Sequence, residues 1–377
     1  MIYATPKLTG SLRNRLEELR DLRGRLERQG AQPTRWVGSL RRQVRAASAA
    51  GSTSIEGFSV TPEEASELVG RQAAGPDEDE NRQAVACYAR AMDHVGTMAA
   101  DPAFRWLDRV VLDLHFDACW FQRVRNPGLW RTGPIGVTGA DGSLEYRGPD
   151  GEEVPGLMAE VIAWLATGDP KADGIVRAAM AHLNVISVHP FRDGNGRVSR
   201  IVQSLVLALE GESVAELISI EEYLGAHTQD YYAALREVQA GSYQPQRDAT
   251  SWVEFCIEAH IAQAHQRLGQ IERAAARWER LEALVAERGW PDRLTIALEQ
   301  SLGGRTDRGR YGVEAGVSPA TASADIRRLL DAGLLEQRGQ GRGTAYAASE
   351  QLRQGTAEAE SPTSSPRTSP PASVRSG

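Results

Sequence analysis

The sequence predicts a mainly α protein with one β-hairpin insertion and a small α+β unit towards its C-terminus. Three observations carry this expectation. Apolar residues recur at helical spacing through most of residues 8–266. Between Asn126 and Pro155 the pattern changes to glycines, prolines and short β-prone pieces. After a charged helical run from Gln266 to Arg288, residues 290–349 read as short helices followed by two strands around a glycine turn.

In order along the chain, residues 8–30 set Leu12, Leu16, Leu19 and Leu26 on one stripe among many Arg and Glu, as in a solvated helix packed along one face. A second helix is expected from about Thr34 to Glu56, with Gly57 as its stop. Thr61-Pro62-Glu63-Glu64 supplies an N-cap, a proline at the first helical position and a capping-box glutamate, so a third helix starts there. Ser52 and Glu56 stand one turn apart on one face. The helix dipole opposes an acid at a C-terminus, so Glu56 suggests a cationic partner elsewhere in the chain. Residues 62–125 carry helical sets (Val85, Tyr88, Met92, Val95; Phe104, Leu107, Val111, Leu114), the first opened by a solvated turn at Glu78-Asp79-Glu80-Asn81. His115 has no companion metal ligands beside it and reads as a satisfied core or surface histidine. A hairpin is expected from Gly133–Val137 and Leu144–Tyr146, with turn signals at Ala140-Asp141-Gly142 and Pro149-Asp150-Gly151. Residues 156–266 return to helix, and His182, His227, His260 and His265 are taken as structural.

Composition removes several function classes. No apolar run approaches the length of a membrane helix, and Met1-Ile2-Tyr3-Ala4-Thr5-Pro6 lacks the layout of a signal peptide. Cys87, Cys119 and Cys256 are odd in number and far apart, against a disulfide framework and against zinc. A cytoplasmic protein without membrane contact is the expectation. The net charge of −7 argues against bulk attraction to nucleic acid. Lys7 and Lys171 are the only lysines, and neither stands in a Gly-x-x-x-x-Gly-Lys-(Ser/Thr) setting, which excludes a P-loop NTPase. Phosphate would have to be gripped by arginine and backbone.

One stretch offers that grip: His189-Pro190-Phe191-Arg192-Asp193-Gly194-Asn195-Gly196-Arg197-Val198-Ser199-Arg200. Apolar-periodic runs precede it (Ile175, Ala179, Leu183, Ile186) and follow it (Ile201, Leu205, Leu209). It therefore reads as a tight loop between two buried helices, with Gly194-Asn195-Gly196 opening the second. Free backbone amides at a helix start make an anion site, and glycines let a phosphate approach where a Cβ would collide. Arg197 and Arg200 are three apart and can face one ligand. Asp193 is placed to hold a magnesium ion that bridges phosphates. His189 stands at the loop entrance with a near-neutral reference pKa, as a general base would, and Pro190 keeps it out of helical backbone.

This run is similar to the His-x-Phe-x-(Asp/Glu)-Gly-Asn-Gly-Arg-x-x-Arg signature of Fic domains, residue for residue. The resemblance implies an all-α core that binds ATP with Mg2+ and moves AMP onto a protein hydroxyl. It implies His189 as base, Asp193 as metal ligand, and Gly194, Asn195 and Gly196 as phosphate cradle. Arg197 would help hold the phosphates and Arg200 would clamp the γ-phosphate. Ser52-Thr53-Ser54-Ile55-Glu56-Gly57 resembles the family's inhibitory motif, (Ser/Thr)-x-x-x-Glu-(Gly/Asn). Glu56 would then pair with Arg200 and occupy the γ-phosphate position. Gly128-Leu129-Trp130-Arg131 resembles the start of the family's flap, so a target protein would dock as an added strand around 128–155. By the same likeness Tyr232, and with it Gln239, would contact adenosine.

The expected organisation is an N-terminal helical region at 1–95 with the inhibitory helix at about 34–57, and a catalytic core at 96–266. A connecting helix at 267–289, a unit at 290–349 and a disordered tail at 350–377 follow. Residues 290–349 resemble a winged helix-turn-helix in pattern. Arg305, Arg308, Arg310, Arg327, Arg328, Arg338 and Arg342 compete there with Asp307, Glu314, Asp325, Asp331 and Glu336, so DNA contact and a protein-contact or homodimerising role stand side by side. Two functions are carried forward. One is an autoinhibited protein adenylyltransferase acting on a Ser, Thr or Tyr hydroxyl, its own included, with hydrolytic removal of AMP as a variant of the same site. The other is a nucleotide-sensing DNA-binding regulator, for which His189 would need no base function.

Overall fold

In the computed structural model of the chain, which describes residues 1–30, 36–69, 78–139, 142–170, 172–211 and 215–357, the N-terminal leucine stripe forms α1 (Gly10–Gly30) and buries Leu12, Leu16, Leu19, Leu22 and Leu26. Helix α2 (Val37–Ser54) follows; its expected start at Thr34 lies outside the described residues. It ends before Glu56, because the Thr53 carbonyl accepts the amides of both Glu56 (3.1 Å) and Phe58 (3.2 Å) while Gly57 turns the chain away at φ +88°. Glu56 therefore sits in a turn just beyond the helix. Helix α3 (Pro62–Val69) opens with the expected box: the Thr61 amide donates to Glu64 Oε2 (2.9 Å) and the Glu64 amide to Thr61 Oγ1 (3.3 Å). Helix α4 (Glu80–Ala100) is capped by Asp79, which accepts from the Arg82 amide. Helix α5 (Asp108–Cys119) starts later than the periodicity suggests. Phe104 and Leu107 precede it, and Leu107 is 59% exposed, so the inward face is Val110, Val111, Leu114 and His115.

The hairpin is β1 (Gly136–Thr138) against β2 (Leu144–Arg147), antiparallel, with Val137 opposite Tyr146; Ala140 and Asp141 of its expected turn lie outside the described residues. The base of β2 is also held on its other edge: the Arg147 amide donates to the Gly241 carbonyl and the Tyr243 amide to the Arg147 carbonyl. Helix α6 (Val154–Thr167) leads to the central pair, α7 (Gly174–Val188) packed on α8 (Asn195–Leu209). Every residue of α7 from Ala178 to Val188 is buried. Short helices α9 (Ala215–Ile218) and α10 (Glu221–Ala226) precede α11 (Thr228–Gln239) and the long α12 (Thr250–Glu287).

Helices α2 and α10 meet backbone to backbone. A Cβ on Gly51 would stand 2.7 Å from the Glu221 carbonyl oxygen, and one on Gly225 would stand 2.6 Å from the Gly51 carbonyl oxygen. Glycine at both positions permits this approach, which fixes the end of α2, and so Ser52, relative to the rest of its unit.

By contacts the chain forms two units, Met1–Ile271 and Glu272–Gly377. In the second, α13 (Leu294–Leu302), β3 (Arg305–Thr306), α14 (Arg308–Ala315), α15 (Pro319–Asp331), β4 (Leu335–Arg338) and β5 (Ala345–Ala348) build three helices and an antiparallel sheet ordered β3-β5-β4. Asp325 is buried, accepting Arg293 Nε (2.7 Å) and Nη2 (3.0 Å) and the Tyr311 hydroxyl (2.7 Å). The expectation of a disordered tail from residue 350 is corrected over its first residues: Glu350–Ala357 is helix α16, with Leu352 and Thr356 buried. One leucine and a Ser349 cap make a helical turn that the polar composition conceals. Residues 358–377 lie outside the described residues. With 67% helix against 5% strand the protein is mainly α, as expected. Among the described residues no helix is long and apolar enough to cross a membrane.

Candidate active site

The loop between α7 and α8 is held by three side chains that do not themselves face the cleft. Asn195 clamps it from within, its Oδ1 accepting the Phe191 amide (2.8 Å) and its Nδ2 donating to the Phe191 carbonyl (2.9 Å). Phe191 is fully buried and stacks on His115 at 3.5 Å between ring centroids. His115 accepts the Gly128 amide at Nδ1 (2.8 Å), so its proton lies on Nε2, which donates to the Asp193 carbonyl (2.9 Å). Burial pushes its pKa down to about 4, in keeping with a neutral tether. Arg131 is the third. Buried and without an acidic partner among the described residues, it donates to the carbonyls of His189 (2.7 Å), Gly133 (2.6 Å), Pro149 (2.7 Å) and Val188 (3.3 Å). It thereby fastens the hairpin's base to the turn at His189.

His189 caps α7 in the left-handed region at φ +51°, which costs a residue with a Cβ roughly 1–3 kcal/mol. Its Nδ1 lies 3.1 Å from the Ile186 carbonyl. A carbonyl can only accept, so the ring proton is on Nδ1 and Nε2 keeps a free lone pair. The half-buried ring lines a cleft of about 520 Å³. Burial lowers its pKa to about 4, so the imidazole is neutral at pH 7.

Across the loop Gly194 takes φ +73°, where a Cβ would stand 2.3 Å from Cys119 Sγ. The amides of Asn195, Gly196 and Arg197 open α8 and have no helical acceptor. The Gly194 amide donates to Asp193 Oδ1 (2.7 Å), and Asp193 Oδ2 accepts from Gln122 Nε2 (3.2 Å).

Glu56 reaches from the turn after α2 into this site. Its Oε2 accepts Arg197 Nε at 2.5 Å and its Oε1 accepts Arg200 Nη2 at 2.8 Å. Arg200 also donates from Nε to Ser52 Oγ (2.7 Å) and from Nη2 to the Ser52 carbonyl (2.9 Å). Burial alone would raise the Glu56 carboxyl, but Arg197 and then Arg200 outweigh it and hold the pKa below the usual carboxylate range. Arg200 Nη1 is buried and without a partner. Gly196 makes room here, since a Cβ would stand 2.6 Å from Glu56 Oε1 and 3.0 Å from Arg200 Nη1.

One cleft thus brings together Glu56, His189, Asp193, Gly194, Asn195, Gly196, Arg200, Tyr232 and Gln239. Tyr232 donates to the Ile55 carbonyl (3.2 Å) and Gln239 to Ser187 Oγ (3.0 Å). Arg197 is placed differently from the expectation that it holds phosphates. It is fully buried, absent from the cleft wall, and engaged with Glu56, Gln122 and the Ala118 carbonyl. Asn195 offers only its backbone amide, because its side chain is committed to Phe191. Several residues escape sequence reasoning. Phe58 and Phe121 pack against the Arg197 guanidinium at 5.4 and 5.3 Å from their ring centroids, and Gln122 bridges Arg197 to Asp193. Their one sequence signal is adjacency to Gly57 and to the end of α5.

Residues 106–207 match the profile of the Fic/DOC family. Among curated proteins, the chain is 34% identical over 89 residues to protein adenylyltransferase fic-1 of Caenorhabditis briggsae, covering 23% of this chain and 16% of that protein. It is 25% identical over 154 residues to protein adenylyltransferase Fic of Nematostella vectensis, covering 40% and 33%. The chain thus spans a third or less of these relatives. Among solved structures it resembles a Fic family protein from Desulfovibrio desulfuricans G20, with a TM-score of 0.58 and 22% identity over 92% of this chain and 99% of that one. It also resembles Fic-1 (residues 134–508) from Caenorhabditis elegans, with a TM-score of 0.53 and 20% identity over 68% and 71%.

Proposed function

We propose that the protein is an autoinhibited protein adenylyltransferase that moves AMP from ATP to a Ser, Thr or Tyr hydroxyl. The observation that carries this reading is a cleft lined together by a neutral histidine with a free Nε2, by Arg200 with one buried donor unpartnered, and by the residues whose open amides start α8. The His189 Nε2 takes the hydroxyl proton as the oxygen attacks the α-phosphorus. The new O–P bond forms, the bond from that phosphorus to the α,β-bridging oxygen breaks, and pyrophosphate leaves towards Arg200. The amides of Asn195, Gly196 and Arg197 hold negative charge that grows on the phosphates, and Tyr232 and Gln239 face the adenosine.

Asp193 fits a magnesium ion. Its side chain is 38% exposed, it lines the cleft, and one carboxylate suffices for an ion whose other ligands are phosphates and water. Such an ion would neutralise phosphate charge. Among the described residues no group of three or more His, Cys, Asp or Glu could hold a metal alone, as suits an ion that arrives with its nucleotide.

Glu56 supports the inhibited state: its carboxylate occupies the guanidinium that a γ-phosphate would require. While Glu56 is seated, ATP is confined to an unreactive pose, and hydrolytic removal of AMP by a water held on that carboxylate is the variant reaction. The acceptor protein lies along the β1–β2 hairpin as an added strand. The test is incubation of the Glu56→Gly protein with ATP labelled at the α- or the γ-phosphate. Label from the α-position alone should become protein-bound, and should vanish with His189→Ala. Transfer from the γ-position, or equal transfer without His189, rejects the reading.

A second reading concerns residues 290–349, as a winged helix-turn-helix that contacts DNA. Its acids are largely engaged within the unit. Asp307 caps α14, Asp325 binds Arg293, Glu314 accepts from Gln300 and Glu336 pairs with Arg338. Asp307 and Glu314 accept hydrogen bonds from neutral donors and Asp331 is exposed, so Arg305, Arg308, Arg327 and Arg328, also exposed, would make any phosphate contact against that competing charge. A gel shift of the full chain on duplex DNA that weakens with salt and with Arg327→Ala/Arg328→Ala supports DNA contact. A shift indifferent to both rejects it.

A further inference from the structure

We propose that Gln122 is a positioning residue that couples the seat of Glu56 to the orientation of the Asp193 carboxylate. Three hydrogen bonds form the chain. Glu56 Oε2 accepts Arg197 Nε (2.5 Å), Arg197 Nη2 donates to Gln122 Oε1 (2.8 Å), and Gln122 Nε2 donates to Asp193 Oδ2 (3.2 Å). Chemistry fixes the amide's direction, because the reverse orientation would set NH2 against a guanidinium and carbonyl against a carboxylate.

Each link is tightly held. Arg197 is fully buried, packs against the paired rings of Phe58 and Phe121, and has its Nη1 on the Ala118 carbonyl (3.3 Å). Asp193 Oδ1 accepts the Gly194 amide and lies 3.6 Å from Arg197 Nη2. With Glu56 seated, Arg197 has its charge met at Nε, and the neutral amide stands between it and Asp193 Oδ2. When Glu56 withdraws, Asp193 becomes the acid nearest to the unmatched guanidinium. Arg197 and Gln122 then redraw their hydrogen bonds together, and the oxygen that Asp193 can present to a cation changes. By linkage, divalent-cation-dependent nucleotide binding and Glu56 occupancy must each alter the other by the same factor. This assignment takes its ligand from the ATP reading above, but its geometry stands without it.

The test measures the dissociation constant of a fluorescent (mant) ATP with and without Mg2+ in four full-length proteins: wild type, Glu56→Gly, Gln122→Met, and the double variant. Methionine keeps the volume of glutamine and removes both hydrogen bonds. Glu56→Gly should change the Mg2+ effect on affinity by about tenfold when Gln122 is present, within the usual range of such couplings, and by less than about twofold in the Gln122→Met background. An equal change in both backgrounds overturns the proposal. A second measurement needs no nucleotide. Glu56→Ala and Asp193→Ala should be non-additive in the unfolding equilibrium constant by about threefold or more, and clearly less so once Gln122→Met is introduced, the remainder being the direct 3.6 Å contact of Asp193 with Arg197; equal non-additivity in both backgrounds overturns the proposal. If the fluorescent ATP binds none of the four, the nucleotide reading fails and this cycle decides the coupling; additivity in both backgrounds overturns it.

Discussion

Replacing Glu56 by glycine should move stability and activity in opposite directions. Glu56 holds two buried guanidiniums, at 2.5 Å to Arg197 and 2.8 Å to Arg200. Removing one partner of a buried ion pair costs roughly 3–5 kcal/mol, because the other charge is left without compensation. Arg200 retains two bonds to Ser52, and Arg197 retains Gln122 and the Ala118 carbonyl, so the lower end, about 3 kcal/mol, applies. If the same free energy keeps the carboxylate in the path of a γ-phosphate, its removal should raise the rate of AMP transfer by about 100-fold, at 1.4 kcal/mol per factor of ten. Urea unfolding measures the first effect and initial rates with α-labelled ATP the second. A variant that loses the expected stability yet transfers AMP no faster than wild type would refute the inhibitory role. A variant that loses no stability would refute the electrostatic assignment itself.

Three further outcomes follow from particular contacts. Gly51→Ala forces a Cβ to within 2.7 Å of the Glu221 carbonyl. It should cost about 1–3 kcal/mol by overpacking and, by displacing the end of α2, raise AMP transfer; melting curves and labelled ATP check both. His115, His182 and His260 are buried and His189 half-buried, and burial holds their pKa values near 4, 3, 3 and 4, below the unfolded value. The folded state therefore binds fewer protons than the unfolded one between those values and about pH 6.5. Stability is complete above that window and falls as pH drops through it, by up to about 5 kcal/mol per pH unit near pH 5 for four protons. Urea midpoints unchanged between pH 7 and pH 5 would contradict this. Ala240 caps α11 at φ +48°, so Ala240→Gly should stabilise the protein by up to about 1 kcal/mol, read as a higher melting temperature.

What was legible in the sequence follows physical range. Local rules place the Thr61–Glu64 box, the Gly57 turn and the α7–loop–α8 unit, because caps, left-handed glycines and apolar spacing act over one or two turns. The compact signature from His189 to Arg200 also places the cleft's loop, since few arrangements of those residues are useful. Long-range partners are not legible in this way. The family resemblance implies a phosphate role for Arg197, yet Glu56, Gln122 and two aromatic rings, remote in sequence, draw its side chain into the interior. Leu107 fits a helical stripe but precedes the helix, because periodicity cannot see where a chain emerges from its preceding turn. The α2–α10 contact rests on Gly51 and Gly225, which carry no apolar signal at all.

The most direct measurement is mass spectrometry of a cell extract incubated with Mg2+, ATP and the Glu56→Gly protein. Hydroxyl-bearing residues of a protein should gain the mass of one AMP, with no such gain when His189→Ala is added. The absence of any AMP-modified protein with the Glu56→Gly enzyme, or the same modifications without His189, would contradict AMP transfer at this site.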